Sequence, residues 1–206
     1  MSTFIEKIEA VASGLSAAAI PHAFGGALAL AFCVGQPRAT ADIDVNVFVT
    51  TDEVDRVFAA LPDGVAVDST SERSVRRDGQ VRVMWGETPV DLFFSYHPLH
   101  DQAARRARRV AFGDVQIAVL SCTDLAFFKV LFNRTRDWAD LEAMTEASSY
   151  DRSEALHWLD ATLGADAEPV ARFRTLRDRR PSPEPMLRRV LGSEGDGPLP
   201  TDGPVA

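Results

Sequence analysis

Two aspartates two residues apart, Asp42 and Asp44, open the run D-I-D-V-N-V-F-V. On an extended strand, side chains i and i+2 share a face. Both carboxylates therefore project together, followed by Asn46 and Phe48, while Ile43, Val45, Val47 and Val49 form an unbroken apolar side. Neighbouring carboxylates repel unless a cation lies between them, and all-oxygen donors suit a hard ion such as magnesium. A third carboxylate, Asp91 in V-D-L-F-F, sits among apolar neighbours, where it is costly unless paired or bound to metal. Three carboxylates meeting on one sheet face suit phosphoryl or nucleotidyl transfer, in which a metal pair clamps the attacking oxygen, the phosphorus and the leaving pyrophosphate. Asp42 and Asp44 would then bind both ions, and Asp91 the one that activates the acceptor hydroxyl. The competing reading is a polar strand entrance with Asp91 at a sheet edge.

Gly25-Gly26 lies between a short strand and a helix, shortly before the aspartates. Glycine permits close backbone approach there, and a helix N-terminus offers free N–H groups and a positive dipole to a phosphate. A tight turn needing glycine only for packing is the alternative. Lys129 is one of two lysines in the chain and lies on an otherwise apolar helix. Its compact ammonium suits a nucleotide triphosphate, or it snorkels from a helix edge. Asp137 and Asp140, three apart on the next helix, share nearly one face; either could orient Lys129 or Arg134, or cap the helix. Arg38, in the turn before the Asp42 strand, reaches a phosphate or pairs with an acid. The candidate nucleotide-binding set is thus Gly25, Gly26, Arg38, Lys129 and Asp140. The four histidines and two cysteines show no metal-ligand spacing, and there is no G-x-S-x-G or P-loop.

The elements that must position these residues follow from periodicity. Thr3 and Glu6 have capping-box spacing ahead of an amphipathic helix over residues 3–17. A short strand over 18–24, broken by Pro21, leads into a buried helix over 27–34, which Gly35 caps and Pro37 stops. After the Asp42 strand comes a helix built on Val54, Val57, Phe58 and Leu61. Residues 65–80 are polar and unassigned, apart from a minor strand at Val65 and Val67. Residues 81–85 and 90–94 form a hairpin around G-E-T-P. A helix over 98–108 and a strand over 115–120 precede a helix that Ser121 and Asp124 open. Further helices run over 136–147 and from Asp151 to about residue 180. The expected fold is α/β or α+β: a small mixed sheet flanked by helices over residues 1–120, then a helical region over 121–180. Residues 181–206, rich in Pro, Gly, Ser and Asp, are expected to form a disordered tail.

Composition is that of a soluble globular protein, with no apolar run long enough to span a membrane and no signal peptide in MSTFIEKIEA. A cytoplasmic location follows, with Cys33 and Cys122 as buried free thiols. The net charge of −8 argues against a nucleic-acid binder, but nearly all positive charge is arginine, clustered over 105–109 and 172–189. These are solvated helix faces, or local basic patches for phosphates.

The motifs in order, G-G before a helix, then G-x-P-R-x-T-x-D-I-D-V, then V-D-L-F, resemble the nucleotidyltransferase superfamily that includes DNA polymerase beta. More narrowly, they resemble small bacterial nucleotidyltransferases of the AbiEii and MenT toxin type and their stand-alone relatives. Residues 124–141, a lysine helix followed by R-D-W-A-D, resemble that family's downstream motif. The resemblance covers residues 18–145 and implies a magnesium-dependent enzyme that transfers NMP from an NTP to an acceptor hydroxyl. Asp42, Asp44, Asp91 and Lys129 would be catalytic, with the three aspartates as metal ligands. It implies a tRNA 3′ end as one acceptor, with an antitoxin as protein partner; a protein hydroxyl or a small antibiotic is the other. Many members carry Gly-Ser where this chain has Gly25-Gly26, so a backbone N–H would replace the serine hydroxyl. A non-catalytic binding or antitoxin-like module of the same fold is the alternative.

Overall fold

The computed structural model describes residues 2–36 and 38–176. The proposed tail over 181–206 and the arginines beyond residue 176 lie outside the described residues. Among them, seven strands form one mixed sheet in the order β3-β4-β5-β2-β1-β7-β6. The strands are β1 (His22–Phe24), β2 (Ile43–Val47), β3 (Val65–Ala66), β4 (Gln80–Trp85), β5 (Thr88–Phe94), β6 (Arg108–Phe112) and β7 (Val115–Val119). Helices α1 (Phe4–Ala17), α2 (Gly26–Val34), α3 (Val54–Ala59), α4 (Ser69–Asp78) and α5 (Pro98–Arg106) punctuate the sheet. Helices α6 (Cys122–Phe132), α7 (Thr135–Glu146), α8 (Arg152–Leu163) and α9 (Glu168–Thr175) follow it. The expected mixed α/β architecture is observed, and no helix among the described residues is long and apolar enough to cross a membrane.

The central strands position the acids. β2 runs parallel to β5 with Asp44 beside Asp91, and β5 runs antiparallel to β4 with Asp91 beside Arg82. The reverse face of β2 is fully apolar: Ile43, Val45 and Val47, with Val49 just beyond the strand, are buried in a hydrophobic core that reaches from Ile8 on α1 to Phe173 on α9. A one-residue slip of β2 would therefore bury both aspartates, so the core sets the register. The capping box at Thr3 and Glu6 forms as expected, and Lys7 donates to the Trp85 carbonyl and the Thr88 hydroxyl, tying α1 to the β4–β5 turn.

Three expectations are corrected. The unassigned polar stretch holds a ten-residue helix, α4, capped by Asp68 and ended by Gly79 in the left-handed region at φ 68°. It buries only Val75, so apolar periodicity could not reveal it, although Asp68, Ser71 and Gly79 are its start and stop signals. The helix expected over 98–108 ends at Arg106; Arg108 and Arg109 belong to β6, which pairs with β7 through a turn at Gly113. Cys33 and Cys122 are not free thiols but a disulfide, with Cα atoms 5.6 Å apart. They are 89 residues apart in the chain, and only the approach of the α2 C-terminus to the α6 N-terminus brings them together.

Candidate active site

β2 and β5 carry Asp42, Asp44 and Asp91 onto one face, as the alternation of the sequence requires. Asp42 precedes β2 by one residue, and its carboxylate accepts a hydrogen bond from the Thr40 hydroxyl. Asp44 lies against the start of α2. The Gly25 N–H donates to the Asp44 carbonyl at 2.9 Å, and a Cβ placed on Gly26 would fall 1.8 Å from Asp44 Oδ2. Gly26 also has φ +51°, so two separate constraints demand glycine. The serine common in the resembled family could not enter here without moving Asp44. Gly26→Ser is expected to destabilise the protein by about 2 kcal/mol or more through left-handed strain and the clash. Thermal melts check this; a variant as stable as wild type would show that the α2 N-terminus gives way easily.

Burial, and then the negative charges of Asp42 and Asp91, push the Asp44 carboxyl up from 3.8 to about 6; Arg134 and Lys129 pull the other way. Burial also works to raise Asp42, but the Thr40 hydroxyl, its own backbone and the Arg82 charge bring it below its ordinary value.

Asp91 is held by a residue outside the candidate set. Arg82 donates from Nε and Nη2 to its two oxygens at 2.7 and 2.6 Å, and Nη2 lies 3.8 Å from Asp42. The alternation in V-R-V-M-W puts Arg82 on one face of β4, but only the register says which acid it meets. Among the described residues, no group of three or more His, Cys, Asp or Glu side chains is closed around a common point. The donor chemistry nevertheless suits a hard divalent ion: carboxylates from paired strands, one with its charge opposed by burial and by its neighbours.

Lys129 is buried and donates to Asp140 at 2.6 Å, with Asp137 3.5 Å away. Asp140 also accepts a two-pronged pair from Arg38 at 3.2 and 3.1 Å, and Asp137 accepts one from Arg134 at 2.7 and 3.3 Å. The five groups form an alternating row, Arg38–Asp140–Lys129–Asp137–Arg134, with one net positive charge. It joins the turn before β2 to α6 and α7. Arg38, in the turn before β2, is thus ion-paired with Asp140. Asn133 in the left-handed region ends α6 and turns the chain into α7, which lets Lys129 and Asp140 face each other.

Lys129 also borders a narrow cleft with Gly25, Gly26, Asp44, Phe132 and Arg134. Beside it, sharing Phe93, Phe132 and Arg134, lies a wider cleft of about 410 Å³ that includes Arg82 and Asp91. Phe93 and Phe132 have ring centres 5.5 Å apart, and the Arg134 guanidinium lies 5.0 Å over the Phe132 ring. Another cleft of about 390 Å³, around His22 and Arg109, contains none of the candidate residues.

No family model and no curated protein matches this chain. Solved structures do resemble it. The crystal structure of ANT(2'')-Ia in complex with adenylyl-2''-tobramycin is 14% identical, with a TM-score of 0.48 over 84% of this chain and 98% of the other. A protein from H. pylori assigned as a nucleotidyltransferase is 19% identical, with a TM-score of 0.44 over 78% and 77%. An antigenic nucleotidyltransferase-like protein from Paracoccidioides brasiliensis is 18% identical, with a TM-score of 0.41 over 68% and 75%.

Proposed function

We propose that this protein is a magnesium-dependent nucleotidyltransferase that moves NMP from an NTP to an acceptor hydroxyl and releases pyrophosphate. The observation that carries the reading is the side-by-side pairing of Asp44 and Asp91 on parallel strands, with Asp42 two residues earlier, at the glycine-lined start of α2. Asp42, Asp44 and Asp91 would hold magnesium, which supplies charge neutralisation at the reacting phosphate and a more acidic acceptor hydroxyl. The acceptor oxygen forms a bond to the α-phosphorus as the bond to the pyrophosphate oxygen breaks, and Asp91 takes the acceptor proton. Lys129, held between Asp137 and Asp140, offers its side chain to the triphosphate with the N-terminal amides of α2. Phe132, capped by Arg134, gives a flat apolar surface on which a nucleobase can stack.

The test is labelled NTP with magnesium and cell extract, for wild type and Asp44→Ala. Wild type should label a product and the variant should not; equal labelling by both sinks the reading. No nucleotide binding at all would return the chain to a non-catalytic module of the same fold. The same assay with purified tRNA decides the acceptor, and the toxin role with its antitoxin stands or falls with that result. A tRNA would meet Arg105, Arg108 and Arg109, which are exposed. Arg106 is engaged by Asp124 and Glu154, Arg174 by Asp160, and Arg172 lies over the Trp138 ring.

A further inference from the structure

We propose that Arg82 is a resident counter-ion of the carboxylate cluster, lying where a cation shared by Asp91 and Asp42 would lie, so that a divalent ion reaches Asp91 only by displacing it. The inference rests on the nucleotidyl-transfer reading above. Three observations carry it. Arg82 occupies both oxygens of Asp91 and reaches toward Asp42 with the same nitrogen, so its guanidinium stands between the two acids. It is set there by register, directly across β4–β5 from Asp91, which is itself directly across β5–β2 from Asp44. The Arg82 side chain is 58% exposed and Asp91 only 14%, so the arginine is the partner free to leave. A guanidinium does not give up its proton in a protein, so the exchange is a displacement and not a titration.

While Arg82 is in place, both Asp91 oxygens already accept hydrogen bonds, and the acid is poorly disposed to bind metal or take the acceptor proton. Arg82 would thus keep the nucleotide-free enzyme from loading metal on Asp91 and make loading depend on what enters the cleft.

The experiment is calorimetric titration of the full chain with Mn²⁺ alone, for wild type, Arg82→Met, Arg82→Lys and the double variant Arg82→Met/Asp44→Ala. Arg82→Met should bind Mn²⁺ about tenfold more tightly than wild type, the scale of one charge-assisted pair. Arg82→Lys, which keeps the charge, should stay within a few-fold of wild type, and the double variant should lose the gain. Melting curves run alongside confirm that each variant is folded. Equal affinity of wild type and Arg82→Met, or no binding by either, overturns the proposal. Repeating the titration with a non-hydrolysable NTP separates the two readings. Asp44-dependent nucleotide binding without an Arg82 effect leaves nucleotidyl transfer standing and removes the counter-ion. Tighter Mn²⁺ binding by Arg82→Met in a chain that binds no nucleotide does the reverse.

Discussion

Asp44→Asn is expected to melt at a higher temperature than wild type at pH 8 with a chelator present, and to transfer no nucleotide. The Asp44 carboxyl is raised to about 6 by burial and by the charges of Asp42 and Asp91. Well below 3.8 the group is protonated in both states and nothing is lost. Between 3.8 and about 6 the unfolded chain releases its proton first, so stability falls as pH rises. Above about 6 the whole penalty stands, on the order of 2–3 kcal/mol. Asparagine has no charge to desolvate, so the variant should gain about 5 °C or more at pH 8, and the gap should close toward pH 4. Equal melting temperatures at pH 8, or the same gap at both pH values, would refute the account. The same change removes the carboxylate nearest the helix N-terminus, and transfer should fall by about a thousandfold or more. Function would then rest on a residue that weakens the fold.

The buried charge row gives the second large effect, and it is asymmetric. Asp140→Ala strips Arg38 of its acid and leaves Lys129 inside the protein with Asp137, which Arg134 already holds. Breaking a buried pair in this way costs about 3–5 kcal/mol. Lys129→Met takes out the middle of the row instead. Asp140 keeps Arg38, Asp137 keeps Arg134, and methionine nearly matches the volume of the lysine stem, so the loss should be no more than about 1 kcal/mol. Urea unfolding of the two variants checks the order, and a Lys129 variant less stable than the Asp140 one would contradict it. Because Lys129 also borders the narrow cleft, its methionine variant should stay folded yet bind NTP weakly, which separates a ligand-facing role from a scaffolding one.

Much of this was legible before any fold was known because it is local. The spacing of Asp42 and Asp44 and the apolar alternation of Ile43, Val45 and Val47 suffice to orient β2, since strand geometry has a fixed period. The β4–β5 hairpin and the helix caps at Thr3, Ser121 and Asp151 depend on residues within a few positions of one another. α4 escaped because a surface helix with one buried residue has almost no apolar period, and β6 because an arginine run reads equally well as a helix face or an exposed strand. The Cys33–Cys122 bond and the Arg38–Asp140–Lys129 row join positions tens of residues apart, and no spacing rule reaches that far.

The shared face of Asp42 and Asp44 and the apolar face opposite them were therefore decided by the sequence itself, through strand alternation. Which side chain answers Asp91 was not. Arg82 becomes its partner only through the register of three strands held by the core beneath them, and the requirement for glycine at position 26 appears only when Asp44 is seen against it. Local periodicity orients side chains; only packing over the whole sheet decides which of them meet.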